Sequence, residues 1–113
     1  MADGDVVSLM QAQLRQATNE VRDVARLLGI NWAIWDEPDG LLKRHKIDRV
    51  ELAEWLSECH VRETSFAFGI KRFYVEAGES DVPIRSAIVA IHHEVVTVEV
   101  MTIKLEKQEE PSK

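Results

Sequence analysis

The chain has 113 residues, 45% of them apolar and 30% charged, and a formal net charge of −6 at pH 7. That length suits one hydrophobic core and is too short for two, and the composition is that of a globular chain rather than a disordered one. The acidic balance repels phosphate backbones at long range, which disfavours nucleic acid as the main partner, and no apolar run approaches the roughly 18 residues that a bilayer span needs.

The opening Met1-Ala2-Asp3-Gly4-Asp5 has no basic stretch leading into an apolar one, so it does not read as a secretory signal. Cys59 is the single cysteine and cannot form an internal disulfide, which points to a cytoplasmic protein with a free thiol. One domain is expected over residues 5–106, with a disordered N-terminus at 1–4 and a disordered polar tail at 107–113.

The first predicted element is a helix from Asp5 to Leu28, capped by Asp5 or by the Ser8/Gln11 box and closed by Gly29. Val7, Met10, Leu14, Ala17, Val21 and Val24 recur in alternating steps of three and four, which is a heptad seam. Such a seam can pair with a second copy of the chain or dock on the protein's own core. Val6, Leu9, Ala25 and Leu27 widen the stripe and Ala17 thins its centre, both of which favour docking.

Glu37-Pro38-Asp39-Gly40 then reads as a hairpin turn between strands Asn31–Asp36 and Leu41–Lys46. In that register Trp35 faces Lys43, Ile34 faces Arg44 and Trp32 faces Lys46, so cations would stack on indoles for about 0.5–1 kcal/mol each. Trp32, Trp35, Lys43, Arg44 and Lys46 are therefore a candidate partner-binding patch, since tryptophan and arginine are enriched at binding hot spots. The alternative is that the tryptophans cover the end of the core while the lysines extend to water.

A second helix is expected from Asp48 to His60, opened by an Asp48/Glu51 capping box, with Leu52, Trp55, Leu56 and Cys59 on one face. Ser65–Ala77 alternates as a strand whose phase slips by one residue, which predicts a bulge near Lys71–Arg72. After a loop at Gly78–Asp81 come strands Val82–Ile91 and Val95–Leu105, joined by a turn at His92-His93-Glu94. Pro83 with Ile84, Ala87, Ile88 and Ile91 also fits a helix, and strand is preferred.

The predicted class is α+β. A curved antiparallel sheet in the order α-β-β-α-β-β-β would pack on a long N-terminal helix and a second, shorter one. In architecture, though in no motif, this order resembles the cone-shaped ligand-binding fold of nuclear transport factor 2. Such a fold implies a small apolar ligand between sheet and helices, with Trp55, Phe66, Phe68 and Phe73 as the candidate lining. Residues 51–78 also loosely resemble a winged helix-turn-helix, in which 64–77 would be the DNA-recognition helix. The long connection, Gly69 in mid-helix and the acidic chain count against it.

No catalytic constellation, nucleotide loop or metal-ligand spacing is present in the sequence, and no cofactor is implied. His92 and His93 would point to opposite faces of a strand, and the acidic cluster at Asp36, Glu37 and Asp39 is ordinary turn chemistry. Cys59 and His60, side by side on a helix, would not face each other. The expected function is therefore a non-enzymatic protein-interaction domain, an adaptor, inhibitor or accessory factor acting through a surface and as a homodimer.

Overall fold

The computed structural model describes residues 2–27, 30–77 and 80–106, with side chains from Ser8 onward. Its elements run α1 (Ala2–Ala25), β1 (Asn31–Ile34), α2 (Asp36–Arg44), α3 (Arg49–Leu56), β2 (His60–Ala67), β3 (Ile70–Glu76), β4 (Ile84–His92), one 3-10 turn (His93–Val95) and β5 (Thr97–Leu105). The class is α+β, and the five strands form one open sheet in the order β1-β5-β4-β3-β2. Four strands form an antiparallel array, while β1 lies parallel to β5, so the sheet is mixed rather than wholly antiparallel. The Gly29 cap, the first two loop residues Gly78 and Glu79, and the 107–113 tail lie outside the described residues.

Helix α1 starts at Ala2, earlier than the expected Asp5, and among its described side chains the buried ones all lie in its C-terminal half. Ala17, Val21, Val24 and Ala25 are buried in the core cluster. Polar contacts to the α3–β2 region help to pin this half in place. The Val61 amide donates to Thr18 Oγ1 at 2.9 Å, Arg22 Nε donates to the Cys59 carbonyl at 2.7 Å, and Arg26 Nη2 donates to the Ser57 carbonyl at 3.0 Å.

The hairpin expected over 31–46 is not formed, because Glu37-Pro38-Asp39-Gly40 lies in the first turns of α2. Proline is tolerated there, since its missing N–H would have had no intrahelical partner. Asp36, Glu37 and Asp39 sit at the positive end of the helix dipole, and Lys43 and Arg44 at the negative end. Pro38 and Leu42 turn inward and are buried. The strand that would have paired with 41–46 pairs instead with β5, and the Trp35 amide extends that ladder to the Val100 carbonyl at 3.0 Å.

Helix α3 opens on the predicted capping box. The Glu51 amide donates to Asp48 Oδ1 at 2.9 Å, and the Asp48 amide donates to Glu51 Oε1 at 3.1 Å. The helix ends at Leu56, short of the expected His60, so Cys59 lies in the link to β2 and His60 begins that strand. Leu52, Trp55, Leu56 and Cys59 are buried together with Phe73, Val75, Val89 and Val100.

The single bulged strand expected over Ser65–Ala77 is two strands. Phe68 (φ 54°) and Gly69 (φ 78°) make a two-residue turn in which Ala67 pairs with Ile70. Positive φ at both central residues is the backbone of a type I′ hairpin. The phase slip was a turn, and the bulge of this hairpin lies elsewhere, between Val61 and Glu63. Residues 64–77 therefore hold no recognition helix. Val82–Ile91 is resolved in favour of strand, as β4.

Candidate interaction surface

The heptad seam divides in the middle of α1. Ala17, Val21 and Val24 face the protein's own core and are unavailable to a second copy, which corrects the dimer seam over that half. The same stripe continues toward the N-terminus without cover. Leu14 is half-buried, Met10 is 56% exposed and Leu9, at the flank, is 60% exposed. The side chain of Val7 lies outside the described residues.

Alongside this overhang stands the β2–β3 hairpin. Phe66 is 72% exposed and Phe68, at the turn, 97%, with Ile70 on the returning strand also exposed. Cross-strand register sets Thr64 opposite Phe73 and Phe66 opposite Lys71, so Phe66 is on the sheet face that the buried Phe73 also occupies. Between overhang and hairpin runs a groove of about 560 Å³, lined by Met10, Leu14 and Ala17 of α1 and by Arg62, Thr64 and Lys71 of the sheet. Lys71 Nζ sits 5.2 Å from the centre of the Phe73 ring. Arg62 Nε is held 3.1 Å from Glu76 Oε1.

These two elements give the molecule its shape. The Cα radius of gyration is 15.2 Å and the principal extents are 51 × 37 × 26 Å. A compact domain of about 100 residues has a radius near ~13 Å. The excess is consistent with two arms standing off one core.

The proposed tryptophan and basic patch is not assembled as predicted. Trp32 is half-buried in β1 and packs on the core. Trp35 is 47% exposed at the N-cap of α2, whereas Lys43, Arg44 and Lys46 lie at that helix's far end, with Lys43 Nζ 3.1 Å from Asp39 Oδ2. No cation stacks on either indole among the described residues. What holds Trp35 is Glu99 of β5. The indole Nε1 donates to Glu99 Oε2 at 2.7 Å, and His92 Nε2 lies 2.9 Å from Glu99 Oε1. These two hydrogen bonds hold the Glu99 carboxyl below its ordinary range.

The apolar pocket is likewise not assembled. Trp55 and Phe73 are buried in the solid core, whereas Phe66 and Phe68 project from it, so the four line no common cavity. Burial pushes the Cys59 thiol up to about 12, which keeps it protonated and unreactive. His92 goes to Glu99 and His93 Nε2 lies 2.7 Å from Glu20 Oε2, so the histidine pair serves two different carboxylates. No group of three or more His, Cys, Asp or Glu side chains converges among the described residues. No helix of the described residues is long and apolar enough to cross a membrane.

The chain matches no family model, no curated protein and no solved structure. The likeness to the nuclear transport factor fold rested on a hairpin at 31–46 that is not formed. The exposed turn at Phe68–Gly69 was not legible in the sequence. The signal available was Gly69 one residue after Phe68, between two apolar-alternating stretches, but phenylalanine is not a turn former and the pair was passed over.

Proposed function

We propose that this protein is a non-enzymatic protein-interaction domain, an adaptor, inhibitor or accessory factor, acting as a homodimer through α1's overhang and the β2–β3 hairpin. The observation that carries this is the exposure of Phe66 and Phe68 beside an uncovered helical stripe. With Leu9 and Met10 they offer on the order of 500 Å² of apolar surface. That is the upper end for a monomer, and it approaches the roughly 800 Å² per partner of a standard interface. Trp35 offers a second contact, its indole held in one orientation by Glu99 so that little side-chain freedom is lost on binding.

Light scattering on the wild type and on a Phe66→Ser/Phe68→Ser double variant tests the reading. The wild type is expected at twice the 12.9 kDa chain mass, and the variant at the chain mass with unchanged circular dichroism. A double variant that keeps the wild-type assembly removes the hairpin from the interaction surface.

A further inference from the structure

We infer that two copies join edge to edge through β2. The strands run antiparallel about a twofold axis at Ser65, so that the aromatic tip of each copy enters the groove beneath α1 of the other. This rests on the homodimer reading and specifies how the dimer is built.

The first observation is the edge itself. β2 is the outermost strand of the sheet, and α1 covers only its start, where Thr18 Oγ1 takes the Val61 amide. Proteins blunt open edges with lysines, prolines and bulges, because an unpaired row of N–H and C=O groups templates association. The first half of β2 carries Arg62, Glu63 and the bulge between Val61 and Glu63, but from Thr64 through the turn to Ile70 the edge has no charge and no proline. A strand so composed and left open is an aggregation hazard unless something covers it.

The second observation is self-complementarity. With Ser65 opposite the second copy's Ser65, Thr64 faces the second copy's Phe66 and Glu63 faces its Ala67, while the bulged Arg62 lies near the turn that carries its Phe68. No like charges meet across the pair. Thr64 and Arg62 line the groove with Met10, Leu14 and Ala17. The aromatics near them therefore arrive where the helical stripe lacks cover. Phe66 lies on the same sheet face as Phe73, so its ring approaches the groove from the helix side. A one-residue shift of register would turn it to the other face. One arrangement thus fills the open edge and covers both the aromatic tip and the Leu9–Met10 stretch of α1, and the apolar area approaches that of a standard interface.

Replacing Ser65 by cysteine in the full chain tests this. Opposed residues of an antiparallel pair have Cα atoms about 4.5–5.5 Å apart, within disulfide range. Cys59 is buried and does not compete. Under mild oxidation Ser65→Cys should form a covalent dimer at least about tenfold faster than a Val50→Cys control on α3, because pairing supplies the effective concentration. Amide exchange along β2 should slow in the wild type and quicken in Phe66→Ser/Phe68→Ser. A wild-type dimer in which Ser65→Cys links no faster than Val50→Cys overturns the edge pairing while leaving the interaction surface standing. A wild-type monomer overturns both.

Discussion

Glu99 shows how much one side chain can organise on a sheet face. It takes the Trp35 indole N–H on one oxygen and meets His92 on the other, and the two bonds hold its carboxyl below the ordinary 4.5. A carboxyl depressed in the folded state binds its proton more tightly when unfolded. Its contribution is therefore complete above the unfolded value of about 4.5 and is lost as pH falls through the lower, folded value. The acid limb of a stability–pH profile should accordingly flatten in Glu99→Gln, read from urea midpoints between neutral pH and pH ~3. A second single-residue effect belongs to Gly40. It lies inside α2, and a methyl group added there would meet nothing within 4 Å. Gly40→Ala should stabilise the protein by roughly 0.5–1 kcal/mol, since glycine costs about that much in a helix interior.

At the scale of elements, the hairpin carries an opposition between fold and surface. Phe68 holds φ at 54°, a left-handed conformation that a bulky residue adopts at a cost of about 1–2 kcal/mol, and the preferred residue at this place in a type I′ turn is asparagine. Phe68→Asn should therefore raise the melting temperature of the isolated chain while weakening self-association. Calorimetry and light scattering on the same samples would show the two changes going in opposite directions. If stability and association fell together, the aromatic would be there for the fold. The elements that were legible beforehand are those with local signals: α1's periodicity, the Asp48/Glu51 box, and the β-branched runs of β4 and β5. Glu37-Pro38-Asp39-Gly40 was misread because the same four residues suit a turn and the start of a helix. What decided it was the distant strand β5, which claims β1 for itself. The apolar stripe of α1 is buried over only part of its described length for a comparable reason. Periodicity identifies an apolar stripe, but it does not say which length of the stripe the core can reach.

For the whole molecule, the sequence bounds held at the level of class: one α+β core and a long N-terminal helix. The candidate site was legible only as a list of apolar residues. Phe66, Phe68, Trp55 and Phe73 look equivalent in sequence, yet the sheet buries two and leaves two in water. Burial depends on which strands are neighbours, and strand order is a property of the entire chain. The polar ties between α1 and the α3–β2 link, through Thr18, Arg22 and Arg26, explain why the overhang begins where it does. Beyond them toward the N-terminus, Met10 and Leu14 stand across a groove from the sheet rather than packed into the core.

That the first strand lies beside the last has a consequence for how the protein is made. Asn31–Ile34 is synthesised well before its parallel partners, Thr97–Val100, which come after every other strand of the sheet. Until then β1 has no ladder to join, and Trp32 and Ile34 have no complete core to pack on. The antiparallel β2–β3 hairpin, by contrast, can close as soon as its own residues are free, with its aromatic tip already on display. A nascent chain would thus expose Phe66 and Phe68 before β1 has taken its place in the sheet.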